Sequence, residues 1–191
     1  VHLVAGEESN MKLTYKEDTF LLDKLFQLRG SQAPEVPGKE HFGGRVAVVF
    51  GGSYGIGKDI ATELRNAGAK VHSFSRSLTG TDVGNRRDVA RALKEVADKE
   101  GKIDYVINTA GVLNKEPLCS MDYSIIQAAV QTNYMGTVNV ALEAYNYLKQ
   151  TQGQLIFFTS SSYTRGRAFY SIYSSTKAAI VNFVQAIAQE W

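Results

Sequence analysis

The sequence contains very little cysteine and histidine and no long apolar run. Its single cysteine, Cys119, excludes an internal disulfide and fits a reducing compartment. The three histidines show no metal-ligand spacing, and no apolar run approaches the roughly 18 residues that a bilayer span needs. The first residues lack the basic-then-apolar layout of a signal peptide. We therefore expect a cytoplasmic protein with no bound metal and no membrane partner.

A strong charge of one sign is also missing. The net charge is +2 and the basic residues are spread along the chain, so we expect no nucleic-acid partner. With 191 residues, 44% of them apolar and 21% charged, the composition is that of a globular protein. The chain starts with Val1 rather than Met, and we expect it to be a piece of a longer protein.

Residues 1–29 differ from the rest of the chain. A short apolar strand, VHLV, precedes a capping box that begins at Thr14, and leucines follow at helical spacing. The Gly- and Pro-rich stretch within 30–44 is the predicted linker. One strand and one helix are too few for an independent core. This piece is therefore either an N-terminal arm or the tail of a preceding domain.

From 45 to 191, short apolar strands alternate with helical patterns. VAVVF (46–50) is a continuous apolar run ended by glycines, which is typical of a strand buried on both faces. Further strands are predicted at 70–74, 103–108 and 155–159. The alternation predicts an α/β fold with a doubly wound parallel sheet of the Rossmann type. Ligands of such sheets bind at the carboxyl ends of the strands.

The first predicted strand runs into the glycine-rich sequence FGGSYGIG (50–57). Glycines at such a position let the backbone turn sharply and approach a pyrophosphate, and the next helix offers free N–H groups at its N-terminus. The spacing of Gly51, Gly55 and Gly57 is not the usual G-x-G-x-x-G. Taken alone, the stretch also fits a flexible loop with chance glycines.

Further motifs follow in order at or after strand ends: NTAG (108–111), Asn133, Ser160, and the pair Tyr173 and Lys177. Together with the glycine spacing they resemble the short-chain dehydrogenase/reductase family over the α/β part of the chain. The resemblance implies a catalytic tetrad of Asn133, Ser160, Tyr173 and Lys177. The cofactor contacts that it implies are Gly51, Ser53, Tyr54, Gly55, Ile56, Gly57, Ser75, Arg76, Asp82, Val83, Asn108, Ala110, Gly111, Tyr173 and Lys177.

Tyr173 and Lys177 lie one helical turn apart on the same helix face. A free tyrosine exchanges protons poorly at neutral pH, and a lysine cation within about 4–6 Å favours the phenolate. Tyr173 would donate its proton to a carbonyl oxygen, and Ser160 would hydrogen-bond the same oxygen. The resemblance also implies that Lys177 holds the nicotinamide ribose and that Asn133 anchors a water. Tyr170 competes for the role of acid, but it lies two turns from the lysine.

The end of the second predicted strand indicates which cofactor is used. NAD sites usually place Asp or Glu there, whereas NADP sites use an arginine for the 2′-phosphate. Here the strand is followed by Ser75 and Arg76 with no carboxylate, which favours NADP, although Arg76 also fits a solvated loop charge. Asp82 and Val83 resemble the family's adenine-contacting pair. Only about six residues separate Arg76 from Asp82, too few for a crossover helix, so the third strand is predicted to be vestigial.

The stretch LVAGEESNMKLTYKED (3–18) resembles the C-terminal end of cytidylyltransferases that make CDP-activated polyols. The residues that carry the resemblance are Gly6, Asn10, Lys12, Thr14, Glu17 and Asp18. A generic strand and capped helix is the alternative. A cytidylyltransferase ahead of an NADPH reductase resembles the bacterial bifunctional CDP-ribitol synthases. This implies reduction of D-ribulose 5-phosphate to D-ribitol 5-phosphate, CTP bound near Lys12, and a product for capsule or teichoic-acid polymers.

The substrate phosphate needs a cationic contact. Arg165 and Arg167 lie in the loop between the predicted catalytic serine and tyrosine, and we expect them to receive it. Lys115 is the next candidate, and two solvated loop charges are the alternative.

Two predicted helices, 123–149 and 173–191, carry more apolar residues than one sheet face can cover. This predicts a homodimer or a higher homo-oligomer, a pairing that the family resemblance also implies. Because the sequence ends inside the second helix, we expect the family's last strands and substrate loop to be missing from it. Reduction of another ketone and a non-catalytic nucleotide-binding module are the alternative functions. The second is disfavoured because a pure binder needs no proton donor.

Overall fold

The computed structural model describes residues 15, 17–21 and 41–191. The chain divides into two compact units, Val1–Gly38 and Lys39–Trp191. In the first unit, residues 18–21 are helical and the Asp18 carboxylate accepts a hydrogen bond from the Tyr15 N–H at 2.8 Å. The predicted VHLV strand and Lys12 lie outside the described residues. The domain boundaries drawn from the sequence stay predictions.

The second unit is built on a parallel sheet with the strand order β2-β1-β3-β4. The strands are β1 (Val46–Phe50), β2 (Lys70–Phe74), β3 (Tyr105–Asn108) and β4 (Gln154–Phe157). All five residues of β1 are buried, because β1 has a neighbour on each side and helices on both faces. Phe50 pairs with both Phe74 and Asn108, so the carboxyl ends of these three strands lie level.

Six helices flank the sheet in the described part of the chain. They are α1 (Gly55–Asn66), α2 (Arg76–Thr79), α3 (Arg86–Glu100), α4 (Tyr123–Val130), α5 (Gly136–Thr151) and α6 (Ser171–Glu190). On one face of the sheet, Leu93 of α3 and Val140 of α5 pack into the core with Phe50. On the other face Ala61 of α1 packs with Val49. None of the described helices is long and apolar enough to cross a membrane.

The observed elements confirm the predicted parallel sheet and differ from the sequence pattern in detail. The long helix predicted from 123 to 149 is interrupted by a π-helical turn, Gln131–Met135, which joins α4 to α5. Only the single-turn helix α2 stands between Arg76 and Asp82, and the described chain forms no strand there. This matches the predicted loss of the family's third strand.

Asp104 fixes the start of β1 against the start of β3. Its carboxylate accepts hydrogen bonds from the Val46 N–H and from Arg45 Nη1, each at 2.8 Å, and it pairs with Lys102 Nζ at 3.0 Å. Its side chain is only 3% exposed. Burial raises the pKa of the carboxyl, but the hydrogen bonds from Val46, Arg45 and Lys102 outweigh it and leave the pKa below its usual value.

Candidate active site

The loop between β1 and α1 lies directly against the residues that follow β3. Gly51 has a φ of 82°, and a Cβ on it would lie 2.6 Å from the Ala110 nitrogen. A Cβ on Gly57 would overlap the Thr109 hydroxyl. Thr109 is itself fixed, because its N–H and its Oγ1 each donate to the Phe50 carbonyl at 2.9 Å. Both positions therefore require glycine, and the turn closes tightly over the end of β1.

A cavity of about 390 Å³ opens at this carboxyl end of the sheet. Every residue predicted to contact the cofactor lines it, with the exception of Asn108. The sequence did not point to other residues of its wall, among which are Ser77, Thr81, Thr132, Phe158 and Thr159. Most of these are direct neighbours of predicted residues, and that adjacency was the only signal available.

Asn108 lies beneath the cavity wall rather than on it. It is the last residue of β3, is 3% exposed, and accepts a hydrogen bond from the Ala110 N–H through its Oδ1 at 3.1 Å. This bond holds the turn that carries Ala110 and Gly111 to the wall. Asn108 therefore supports the turn that lines the cavity, and its predicted contact with the cofactor stays a prediction.

Asn133 sits in the middle of the π-helical turn and joins two parts of the site. Its Oδ1 accepts from the Val112 N–H at 2.8 Å, and its Nδ2 donates to the Val112 carbonyl at 2.9 Å and to Thr176 Oγ1 at 3.3 Å. The side chain is 1% exposed, and these bonds engage both ends of its amide. Asn133 thus clamps the chain after β3 to α6. Its predicted role as a water anchor stays a prediction.

Helix α6 places Tyr173 and Lys177 together on the cavity wall. Lys177 Nζ lies 5.8 Å from the centre of the Tyr173 ring and donates to the Phe158 carbonyl at 2.7 Å. Lys177 is 7% exposed, and this burial lowers the pKa of its ammonium group. Tyr170 is not part of the cavity wall, and its ring instead faces Lys115 Nζ at 5.8 Å. The geometry favours Tyr173 over Tyr170 as the acid.

Ser160 lies three residues past the end of β4, at the start of a single 3₁₀ turn (Ser161–Tyr163). Its Oγ accepts hydrogen bonds from the Ser162 N–H at 3.3 Å and from the Ser162 hydroxyl at 3.0 Å. Ser160 is partly exposed and stands outside the residues that line the main cavity. Its predicted contact with the substrate stays a prediction.

Arg165 and Arg167 are exposed in the loop that follows this turn. They line a separate concave surface together with Ser161 and Thr164. Arg167 Nη2 donates to the Ser161 hydroxyl at 3.3 Å. The structure thus brings the two arginines together with the residue next to Ser160, while it keeps them off the wall of the main cavity.

Ser75 and Arg76 occupy the end of the cavity beyond β2. Ser75 accepts a hydrogen bond from the Leu78 N–H at 3.1 Å and thereby caps α2, whereas Arg76 is exposed on the wall. The carboxylate of Asp82 also lies at this end, but its Oδ1 accepts a hydrogen bond from the Gly84 N–H at 2.8 Å. No group of three acidic, His or Cys side chains in the described residues is placed to hold a metal ion.

Comparison with known proteins agrees with this geometry. The sequence profile described as short chain dehydrogenase matches residues 76–191. The chain belongs to the short chain dehydrogenase family. Over its whole length it is 48% identical to the bifunctional ribulose 5-phosphate reductase/CDP-ribitol pyrophosphorylase Bcs1 of Haemophilus influenzae, of which it spans 41%.

Two further comparisons extend this result. The chain is 34% identical to the peroxisomal hydratase-dehydrogenase-epimerase of Neurospora crassa, over 82% of the chain and 19% of that protein. A solved short-chain type dehydrogenase/reductase from Mycobacterium ulcerans superposes with a TM-score of 0.73 at 26% identity, covering 78% of this chain and 63% of that one. The predicted family and Rossmann-type fold are confirmed. The family membership supports an oxidoreductase with an NAD(P) cofactor.

Proposed function

We propose that the chain reduces a sugar-phosphate ketone, D-ribulose 5-phosphate, to D-ribitol 5-phosphate with NADPH. The observation that carries the proposal is the convergence of Tyr173 and Lys177 on the wall of the cavity that the glycine loop builds. A phenol beside a buried amine is suited to donate a proton to a ketone oxygen. A module that only binds nucleotides has no use for this pair.

The glycine loop fits the pyrophosphate of a dinucleotide. The close contacts at Gly51 and Gly57 leave a backbone surface with no side chain in the way. Tyr54 is the N-cap residue of α1, and its side chain makes no hydrogen bond to the first backbone N–H groups of that helix. Those N–H groups and the helix dipole favour an anionic ligand at this position.

The far end of the cavity favours NADP over NAD. Arg76 is an exposed cation on the wall directly after β2, and residues 75–80 contain no carboxylate. A guanidinium binds a phosphate dianion through several N–H donors, whereas a ribose hydroxyl calls for a carboxylate acceptor. We assign Arg76 to the 2′-phosphate on this chemistry.

When bound, the nicotinamide supplies the hydride that reaches the carbonyl carbon. Tyr173 donates its phenolic proton to the carbonyl oxygen, so that the ketone becomes an alcohol, and the phenolate then recovers a proton from solvent. The Phe158 carbonyl holds Lys177 Nζ close to the ring, where its charge stabilises the phenolate. Ser160 donates a hydrogen bond to the same carbonyl oxygen as negative charge develops there.

The phosphate of the substrate is assigned to Arg165 and Arg167. Both are exposed, and the loop that carries them starts at the turn where Ser160 lies. Two guanidinium groups on one concave surface can share a phosphate dianion. Lys115 is the weaker candidate, because its ammonium lies over the ring of Tyr170.

The similarity to the Haemophilus protein supports a larger proposal. We assign residues 1–29 to the end of a cytidylyltransferase that binds CTP near Lys12, 30–44 to a linker, and 45–191 to the reductase. The protein would be cytoplasmic, and its product would feed capsule or teichoic-acid polymers. We also propose a homo-oligomer formed through the helices of 123–149 and 173–191, and the exposed apolar side chains of Tyr123 on α4 and Leu142 on α5 support it.

The test is NADPH oxidation by the intact protein. Ribulose 5-phosphate should give the highest kcat/KM in a comparison with xylulose 5-phosphate and unphosphorylated ribulose. Tyr173→Phe should lower kcat by at least about 10²-fold, as expected for the loss of a general acid. Tyr170→Phe removes the same hydroxyl from a ring outside the cavity and is the matched control.

Three outcomes would contradict the proposal. A clear preference for another ketone would reassign the substrate. NADPH binding without turnover on any ketone would indicate a non-catalytic module. Normal turnover by the Tyr173 variant would move the acid role elsewhere.

A further inference from the structure

A buried serine lies directly beneath Ser160. Ser162 is 4% exposed, and its hydroxyl donates to Ser160 Oγ at 3.0 Å. The backbone N–H of Ser162 donates to the same oxygen at 3.3 Å. Ser162 therefore directs two hydrogen-bond donors at the Oγ of Ser160.

These two bonds fix the hydrogen-bonding direction of Ser160. A serine hydroxyl has one proton to donate and two lone pairs that accept. Both acceptor positions of Ser160 Oγ are occupied by donors from Ser162. The Ser160 side chain can therefore offer a ligand only its O–H, as a hydrogen-bond donor.

A ketone oxygen can only accept hydrogen bonds, so a side chain that stabilises it must act as a donor. A Ser160 oxygen with a free lone pair could instead accept a hydrogen bond from the Tyr173 hydroxyl and turn its proton away from the substrate. The arrangement around Ser160 removes that alternative. It prepares the hydroxyl as a donor before any substrate arrives.

We infer that Ser162 is a positioning residue for the reduction: it holds the Ser160 hydroxyl with its proton directed at the substrate carbonyl. The inference rests on the proposed function, in which Ser160 binds that carbonyl. Ser162 itself touches neither substrate nor cofactor. It acts only through the oxygen of Ser160.

Ser162→Ala is the direct test. The variant removes the donating hydroxyl and leaves the backbone N–H of residue 162 in place, and alanine brings no unsatisfied polar atom into the buried position. Ser174→Ala is the matched control. Ser174 is also a buried serine, 5% exposed, and its hydroxyl has no hydrogen-bond partner in the described part of the chain.

The intact protein is assayed as Ser162→Ala, Ser160→Ala and the double variant, by steady-state NADPH oxidation with ribulose 5-phosphate. Loss of one neutral hydrogen bond should lower kcat about 3- to 10-fold in Ser162→Ala, with the KM values and the melting temperature close to wild type. In the Ser160→Ala background the same substitution should have no further effect on kcat, because its target atom is gone. Ser174→Ala should match wild type.

The double-variant cycle separates positioning from a structural role. If Ser162→Ala lowers kcat equally with and without Ser160, or acts on melting temperature or KM instead, the positioning role is wrong. Unchanged kcat in Ser162→Ala, with a large loss in Ser160→Ala, also overturns it and leaves the proposed function intact. Unchanged kcat in Ser160→Ala overturns both the inference and the assignment of Ser160 on which it rests.

Discussion

Replacing Lys177 with methionine should affect activity and pH-dependent stability in separate, measurable ways. Methionine has a similar length and an apolar chain, but it carries no charge and cannot donate to the Phe158 carbonyl. Loss of the cation beside Tyr173 removes the charge that we propose stabilises the phenolate, so turnover should fall by at least about 10²-fold. The effect on stability depends on the pKa of the buried amine.

Burial lowers the pKa of Lys177 from its ordinary value of 10.5. At pH values below the folded-state pKa the amine is charged in both states, and the cost of burying the charge is fully present. Between the folded-state pKa and 10.5, the unfolded chain holds the proton more strongly than the folded chain. The free energy of unfolding therefore rises with pH in this interval, by up to about 1.4 kcal/mol per pH unit. The methionine variant lacks this contribution.

The measurement is urea unfolding of both proteins, followed by circular dichroism from neutral pH to about pH 10. The unfolding free energy of wild type minus that of the variant should grow as the pH rises. The variant lacks the bond to the Phe158 carbonyl at every pH, so the prediction concerns how this difference changes with pH and not its absolute size. Lys149→Met, at an exposed lysine of α5, is the control and should give parallel curves. A Lys177 difference that stays constant or shrinks would refute the reasoning.

Three further predictions concern binding and stability. Arg76→Ala should raise KM for NADPH about 10-fold or more and barely change that for NADH, because one charge-assisted contact contributes about 1.5–3 kcal/mol; equal effects would mean a structural role. Arg165→Ala and Arg167→Ala should lower kcat/KM on ribulose 5-phosphate and leave unphosphorylated ribulose nearly unaffected, so a uniform loss or none contradicts the phosphate assignment. Asp104→Ala should lower the unfolding free energy by about 2–4 kcal/mol at neutral pH, since the Val46 amide loses its acceptor. In urea titrations this loss should shrink as the pH falls below about 4, and a pH-independent loss would argue against it.

The sheet could be predicted where burial and strand pairing coincide. β1 matches its apolar run from 46 to 50 because the strand is buried on both faces. β3 starts at Tyr105, two residues after the apolar run begins, although Ile103 is fully buried. An apolar sequence pattern indicates which residues are buried, but it does not indicate which backbone groups pair between strands. The start of β3 depends on Asp104, whose carboxylate bonds to the other strand.

The site was predictable where a local motif carries the chemistry. The glycine spacing and the Tyr173–Lys177 pair identified two parts of the wall of one cavity. The π-helical turn was missed because its apolar residues continue a helical pattern, while the bonds of Asn133 reach Val112 and Thr176 far away in sequence. The hydroxyl of Ser162 was missed for a different reason. Nothing in a run of three serines shows which of them donates to which.

In the strand order β2-β1-β3-β4, β1 has β2 and β3 as its neighbours. Because β1 comes first in the sequence, both neighbours are synthesised after it. β2 closes on β1 across the shortest connection, and β3 closes on the other side across a longer one, which is the slower event. That second closure brings Thr109 and Ala110 against Gly51. On the ribosome, all the residues of the glycine turn and its support have therefore been synthesised before Tyr173 is translated. A nascent chain therefore holds the glycine turn and its support before it holds Tyr173, the proposed proton donor.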